Sequence, residues 1–356
     1  MYQIKQLPED FIVKEISNIK TQNNGQFAYY ILKKTNYTTI DALQILSKRF
    51  KTLLKNFGFA GNKDKNAVTE QKISIFKGSK NFESVKFSNI ELKYLGNGKN
   101  PISLGDLDGN EFMITIRNLD DNHIKKIKNL ENKKLKIPNL YGPQRFSKNN
   151  HLAGKAIIKR DFKKAIELVL ENNGAIEDKL RQYIRDNKNN YIGALRLIPL
   201  KTLRLIVHSY QSFLFNKIVE QYLKDDKNNQ KNIKIPIIGF GFEINNIKNQ
   251  QLKKIIKKIL GEEKVTSRDF IISQLPELAS EGGFRDLFFE LKDLKIVEIA
   301  EDELNKNKQT SENQRFSWPR KSKRFSRETK ITFTLPKSCY ATVALEFLFQ
   351  QPQQLS

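Results

Sequence analysis

Residues 58–71 read Gly58-Phe59-Ala60-Gly61-Asn62-Lys63-Asp64-Lys65-Asn66-Ala67-Val68-Thr69-Glu70-Gln71. This stretch places one carboxylate, Asp64, between two lysines in a loop flanked by glycines. An apolar run that is typical of a strand, Ile73-Ser74-Ile75-Phe76, follows at once. A loop aspartate held in this way can serve as a nucleophile, a metal ligand or a structural hydrogen-bond acceptor. The other segments of the chain decide among these roles.

The loop closely resembles the signature of the TruD family of tRNA pseudouridine synthases, which reads roughly A-G-x-K-D-x-x-A-x-T-x-Q. Every fixed letter is present from Ala60 to Gln71. Four further segments resemble motifs of this family, in the family's order. They are Pro8-Glu9-Asp10-Phe11-Ile12-Val13-Lys14-Glu15, Pro138-Asn139-Leu140-Tyr141-Gly142-Pro143-Gln144-Arg145-Phe146, Tyr210-Gln211-Ser212-Phe213-Leu214-Phe215-Asn216 and Leu335-Pro336-Lys337-Ser338-Cys339-Tyr340-Ala341-Thr342. Five motifs in order make the resemblance specific.

Two departures from the family pattern lie in loops. Ser338-Cys339 replaces the Gly-Ser of the last motif, and Ser147 replaces a glycine that is usual after Gln-Arg-Phe. Both leave the expected reacting groups in place, and both can alter the local shape of the loop.

The pattern of strands and helices predicts an α+β fold. Phe112–Arg117 and Ile331–Leu335 alternate apolar and polar residues, as half-buried strands do, and a helix-rich region lies between them. The resemblance implies a mainly antiparallel pseudouridine-synthase core built from residues 1–163 and 315–356. It also implies an inserted, family-specific domain at residues 164–314.

Three helices are predicted in the middle of the chain. Asp161 and Ser209 are candidate N-caps of two of them, and His208 would then precede the second as a capping or packing residue. The third has an apolar stripe and a lysine face that either is solvated or binds RNA. The stripe comprises Leu252, Ile255, Ile256, Ile259 and Leu260, and the lysines are Lys253, Lys254, Lys257 and Lys258.

The composition favours a polyanionic partner without proving one. The chain has 63 Lys and Arg against 39 Asp and Glu, a formal charge of +24, which attracts nucleic acid but also describes a merely lysine-rich surface. Cys339 is the only cysteine, so no intrachain disulfide forms, as in a reducing compartment. The N-terminus does not read as a secretory signal, and no apolar run approaches the ~20 residues that span a bilayer. We therefore expect a soluble, cytoplasmic protein.

Two polar segments follow the helical region. Residues 305–313 are a candidate linker back to the catalytic core. Residues 315–327 mix cations with Phe316, Trp318 and Phe325, a composition that suits phosphates and unstacked bases. The alternative is a flexible basic linker.

The resemblance implies that the protein isomerises a uridine of tRNA, in this family usually uridine 13 in the D arm, to pseudouridine. The reaction needs no redox step, so no cofactor is expected, and the target base must be extruded from the folded RNA. Asp64 matches the family's catalytic aspartate. Lys5 matches an N-terminal lysine of the family and is a candidate for the cation that keeps Asp64 charged, with Lys63 and Lys65 as alternatives.

The substrate-binding residues that the resemblance implies are Phe11, Asn139, Tyr141 and Tyr340, beside Lys5. The aromatic rings would stack on the base and its neighbours, and Asn139 would hydrogen-bond the uracil. Core packing is the alternative for Phe11, and strand packing is the alternative for Tyr340. Gln144 and Arg145 either brace their loop or meet a phosphate.

Other functions fit the residues less well. His123, His151, His208 and Cys339 lack zinc-like spacing, and no phosphate-binding glycine loop is present. A non-catalytic RNA-binding or RNA-chaperone protein would have no need of the Asp64 carboxylate. A metal-dependent nuclease would need further clustered carboxylates. We therefore expect tRNA as the partner, with no metal, no membrane and no obligate protein partner.

Overall fold

The computed structural model of the chain describes residues 2–85, 87–172, 174–225, 231–305 and 326–349. The described residues form two compact units, one within the ranges Met1–Ile137 and Glu290–Gln351 and the other within Pro138–Phe289. The predicted domains, 1–163 with 315–356 and 164–314, stay a prediction, because a compact unit need not coincide with a family domain. The boundary at residue 314 lies outside the described residues.

The first unit contains a nine-stranded sheet with the order β5-β2-β4-β1-β6-β11-β10-β7, in which β3 also pairs with β4. Strand β1 pairs with β4 in parallel, whereas its pairing with β6 and the β2/β4, β2/β5, β3/β4, β6/β11 and β10/β11 pairings are antiparallel. The strands are β1 (Phe11–Ile16), β2 (Phe27–Thr35), β3 (Phe57–Phe59), β4 (Val68–Phe76), β5 (Ile90–Gly98), β6 (Gly109–Leu119), β7 (Leu135–Pro138), β10 (Phe288–Glu301) and β11 (Arg327–Pro336). The predicted strands at 73–76, 112–117 and 331–335 and the α+β class are confirmed.

Helix α1 (Thr39–Arg49) covers one face of this sheet. Thr38 caps it by accepting a hydrogen bond from the Asp41 amide. Its buried residues pack against β2 and β4, with Leu43 and Leu46 beside Leu32 and Ile73. Phe57 of β3 belongs to the same core cluster, so the two strands that flank the Asp64 loop, β3 and β4, are both packed into this core. Among the described residues, the unit also contains the helices α2 (Asp121–Leu130) and α9 (Ala341–Phe349).

The second unit is mainly helical. Its helices are α3 (Asn150–Ile158), α4 (Phe162–Leu170), α5 (Ala175–Asp186), α6 (Tyr191–Leu197), α7 (Leu200–Asp225) and α8 (Gln250–Glu263), and β8 (Lys234–Ile237) pairs with β9 (Gly283–Asp286). Asp161 caps α4 by accepting from the Lys164 amide, as predicted. In α8 the predicted apolar stripe is buried apart from half-buried Leu260, and Lys254, Lys257 and Lys258 are exposed.

The predicted helix start at Ser209 is wrong. Helix α7 is continuous from Leu200 to Asp225, and Ser209 is buried within it, where its hydroxyl donates to the Ile206 carbonyl at 2.7 Å. His208 likewise lies inside α7. No glycine or proline interrupts this helix, and the buried positions Leu203, Ile206 and Val207 continue its apolar side upstream of Ser209. Burial therefore overrides the local capping signal.

Residues 306–313 of the predicted linker and 315–325 of the basic, aromatic segment lie outside the described residues. Among the helices that the structure describes, none combines the length and the apolar character needed to cross a membrane.

Candidate active site

The Asp64 loop connects β3 to β4 and presents its carboxylate to solvent. The Asp64 side chain is 62% exposed, and its Oδ2 atom lies 2.5 Å from Nζ of Lys5. The ammonium compensates the charge of the carboxylate at the point where the loop is most accessible. Of the three candidate cations, the structure thus pairs Lys5 with Asp64.

The backbone of this loop is held by buried side chains. Nε2 of Gln71 donates to the Gly61 carbonyl at 2.9 Å. The Thr39 hydroxyl donates to Oε1 of Gln71 at 2.8 Å and accepts from the Lys63 amide at 2.9 Å. Polar groups of this kind are buried only when they are hydrogen-bonded. Gln71 of the signature is therefore a support for the loop.

Lys63 faces away from Asp64 and into the protein. Its ammonium lies 2.8 Å from Oε2 of Glu15, and the two side chains are 6% and 0% exposed. The same carboxylate accepts from the Lys72 amide through Oε1. Glu15, at the end of the first motif, and Lys63, in the second, thus form a buried ion pair that anchors the residue preceding Asp64.

The chain segment that carries Lys5 reaches Asp64 because β1 lies beside β4. Ile12 of β1 is the register partner of Val68, at the end of the loop. Lys5 itself has a left-handed backbone with φ 58°, a conformation that costs energy in a residue other than glycine. Its ammonium lies 4.0 Å from the centroid of the Phe11 ring, a cation–π geometry. Lys5 is thus held between the carboxylate and the ring.

A buried arginine fixes both sides of this segment. Arg117 pairs with Asp10 at 2.7 Å, and Asp10 in turn accepts from the Leu7 amide at 2.9 Å. The backbone of Arg117 also exchanges two hydrogen bonds with Gln3, at 3.0 and 2.9 Å. Lys5 lies between these anchors, which leaves its short segment little freedom to move.

Phe11 is buried rather than open to a base. Its side chain is 4% exposed and packs edge-on against Phe112, with ring centroids 6.0 Å apart. The Lys5 ammonium covers part of its face. This geometry favours packing, the alternative considered for Phe11, and the base-stacking role stays a prediction.

Asn139 and Tyr141 lie in the second unit and are joined there by Arg285. Nε of Arg285 donates to the Asn139 carbonyl at 2.9 Å, and Nη2 donates to its side-chain oxygen. The guanidinium also lies 4.5 Å from the centroid of the Tyr141 ring. Because a guanidinium only donates, it fixes the side-chain oxygen of Asn139 toward Arg285.

The motif at residues 210–216 holds the motif at residues 138–146. The side-chain amide of Asn216 accepts from the Tyr141 amide and donates to the Tyr141 carbonyl, both at 2.9 Å. Nε of Arg145 donates to the Ser212 hydroxyl at 3.2 Å. The Ser212 contact braces the loop through Arg145, one of its two alternatives, and a phosphate contact by Arg145 stays a prediction.

Tyr340 belongs to the first unit and precedes α9. It is half-buried, and its carbonyl accepts from the Ala344 amide of that helix. Ser338, two residues earlier, has φ 65°, and Ser147 has φ 47°. Both serines thus keep the left-handed backbone for which glycine is favoured, so the two departures from the family pattern preserve the turn at some cost in strain.

Several supporting residues were missed by the sequence analysis. Glu15 and Gln71 belong to the family motifs, which marked them as important. The motifs did not indicate that these residues support the loop. Arg117, Arg285 and Thr39 carry no local signal, because their partners are distant in sequence. The site contains an exposed, charge-compensated carboxylate on a braced loop, which can act as a nucleophile. Among the residues described, no three His, Cys, Asp or Glu side chains gather as metal ligands.

Comparisons with known proteins agree along the whole chain. The model of a family described as tRNA pseudouridine synthase D (TruD) matches residues 2–187, 170–234 and 224–347. A probable tRNA pseudouridine synthase D of Nanoarchaeum equitans is 30% identical, with 98% of this chain and 99% of that protein covered. The tRNA pseudouridine synthase D of Aquifex aeolicus is 27% identical, with 97% of each covered.

A solved structure has the same fold. The crystal structure of a putative tRNA pseudouridine synthase D from Methanosarcina mazei superposes with a TM-score of 0.67 at 26% sequence identity. The superposition covers 98% of this chain and 93% of that one.

Proposed function

This chain belongs to the TruD family of tRNA pseudouridine synthases, and we propose that it converts uridine 13 in the D arm of tRNA to pseudouridine with Asp64 as the catalytic nucleophile. One observation carries this proposal. The aspartate of the family signature is the exposed carboxylate of a braced loop, and its charge is compensated by Lys5 at 2.5 Å.

The proposed reaction is an isomerisation in which every heavy atom of the uridine is kept and one proton is exchanged with solvent. The bond between uracil N1 and the sugar C1′ breaks, the ring turns, and a bond forms between C5 and C1′, with the C5 proton passing to solvent and N1 gaining one. Asp64 attacks the sugar or the base as the glycosidic bond breaks and departs when the new bond forms. The braced backbone holds the carboxylate near its target, which lowers the entropy cost of reaching the transition state.

Five substrate-binding residues are proposed from the family resemblance, and each is described within its own unit. In the first unit, Lys5 orients the Asp64 carboxylate and Phe11 supports Lys5, while Tyr340 stacks on a base. In the second unit, Asn139 hydrogen-bonds the uracil and Tyr141 offers its ring. Extrusion of the base costs a few kcal/mol, and stacking and hydrogen bonds of this kind offset that cost.

The remaining features of the proposal follow from the family. Residues 164–314 form the inserted domain, and the reaction uses no cofactor and no metal. The enzyme acts in the cytoplasm, where its tRNA substrate is found. A net charge of +24 supports binding to tRNA through phosphates.

The proposal is tested by mapping pseudouridine at nucleotide resolution after incubation with an unmodified tRNA transcript in the presence of a chelator. We expect one modified position, uridine 13, with the wild-type protein and none with Asp64→Asn, whose RNA affinity should stay within about threefold. Modification elsewhere would overturn the substrate assignment. Near-normal turnover by Asp64→Asn would overturn the nucleophile. A non-catalytic RNA-binding protein would give no modification with either.

A further inference from the structure

A second lysine contacts the candidate nucleophile from inside the protein. Lys34, on β2, is fully buried. Its ammonium donates to two backbone carbonyls, that of Tyr37 at 2.5 Å and that of Asp64 at 2.9 Å. It therefore holds the backbone of Asp64, whereas Lys5 holds the carboxylate of the same residue.

The burial of this ammonium is unfavourable by itself. Desolvation lowers the pKa of Lys34 from its ordinary value of 10.5 to about 8, although the nearby Asp64 and Asp41 carboxylates oppose this effect. Its neighbour Lys33 points to the other face of the sheet, is half exposed and pairs with Glu91 at 3.3 Å. An apolar side chain at position 34 would avoid this desolvation cost. The role of the charge therefore lies in its hydrogen bonds to the two backbone carbonyls.

We propose that Lys34 is a positioning residue for the reaction, whose ammonium fixes the backbone of Asp64 so that the carboxylate keeps one orientation toward Lys5 and the target uridine. This inference rests on the proposed role of Asp64 as the nucleophile. Thr39 and Gln71 fix the loop upstream, at Gly61 and Lys63. Lys34 acts on the backbone of Asp64 itself.

The position of Lys34 also implies a pH dependence. The charged groups that face it are Asp64 and Lys63 in the loop and Asp41 on α1, and its register partner on β4, Thr69, is uncharged. Above a pH of about 8 the amine loses its charge and becomes a weaker donor. The reaction rate should then fall. The free energy of unfolding should rise between pH 8 and about 10.5. In this range the unfolded chain still binds the proton and the folded chain does not.

The test compares Lys34→Met with Lys33→Met, a matched change one residue away. Single-turnover rates with excess enzyme, affinity for an unmodified tRNA transcript and thermal unfolding are measured at pH 7 and pH 9. We expect Lys34→Met to slow the pH 7 reaction roughly 10–100-fold, as small misplacements do, with affinity within about threefold of the wild type. Its melting temperature should change little, because the gain from removing a buried charge is offset by the loss of the two hydrogen bonds to carbonyls. Lys33→Met should leave all three unchanged, and the rate advantage of the wild type over Lys34→Met should shrink at pH 9.

The outcomes separate this inference from the proposed function. Turnover by Asp64→Asn in the same assay means that the proposed nucleophile is wrong. If Asp64→Asn is inactive but Lys34→Met matches the wild type, only the role of Lys34 is wrong. The positioning role is also wrong if Lys34→Met loses rate only in proportion to a lower melting temperature or a weaker RNA affinity. If Lys34→Met does not fold, Lys34→Gln decides, because its shorter side chain does not reach both carbonyls, and a Lys34→Gln rate equal to that of the wild type is the overturning result.

Discussion

The buried Glu15–Lys63 pair offers a quantitative test of how the loop is held. In Glu15→Gln the carboxylate is lost, and the Lys63 ammonium stays in a site where it is 6% exposed. Leaving one charge of a buried pair without its partner costs about 3–5 kcal/mol. The exposed pair of Lys33 and Glu91, with side chains 42% and 70% exposed, is the control, because removing such a pair costs about 0–1 kcal/mol.

Equilibrium urea unfolding measures both changes, and a double variant completes the cycle. Glu15→Gln combined with Lys63→Met removes both charges, so it should regain much of the stability that Glu15→Gln loses. Under conditions where the protein is fully folded, Glu15→Gln should also slow pseudouridine formation at least about tenfold, because Lys63 precedes Asp64 in the loop. A Glu15→Gln variant as stable as Glu91→Gln would refute this account, as would a double variant less stable than Glu15→Gln.

Three more outcomes are expected. Lys5→Met should lower the single-turnover rate at least about tenfold while changing the free energy of unfolding by less than about 1 kcal/mol, because the Asp64 pair is exposed; an unchanged rate would mean that Lys5 is not needed. Phe11→Ala should lower the free energy of unfolding by about 3–5 kcal/mol in urea, because the ring is buried. A loss below about 1 kcal/mol, as surface substitutions usually give, would favour base stacking over packing for this ring. Ser338→Gly should raise the free energy of unfolding by about 1 kcal/mol by relieving the left-handed strain, whereas Ser338→Ala should not; equal stability of the two variants would contradict the strain.

The candidate nucleophile could be found from the sequence because its signal is local. Asp64 lies in a short loop before a strand with a clear apolar run, and the structure has both the loop and β4 there. The alternation of β11 was readable for the same reason, since this strand buries every second residue from Thr329 to Leu335. Strand β6 was also found, although it buries Ile114, Thr115, Ile116 and Arg117 in succession.

The supports of the site could not be predicted, because they depend on partners that are distant in sequence. Arg117 meets Asp10 only once β6 lies beside β1, and Arg285 meets Asn139 across most of the second unit's sequence. Lys34 reads as one more lysine in a chain with 63 Lys and Arg, and its inward direction depends on the face of β2 that α1 covers. At Ser209 a local capping signal misled, because only the tertiary core shows that α7 starts earlier.

The pairing of β6 with β11 has a consequence for synthesis of the protein in the cell. Ile114 pairs with Ile331, so β6 leaves the ribosome long before its partner exists. At about 5–20 residues per second, this gap lasts on the order of ten to forty seconds. During that time one edge of β6, a strand with buried Phe112, Ile114 and Ile116, is open to pairing with other chains. The nascent chain should therefore depend on chaperones until β11 is made, and variants truncated before β11 should aggregate.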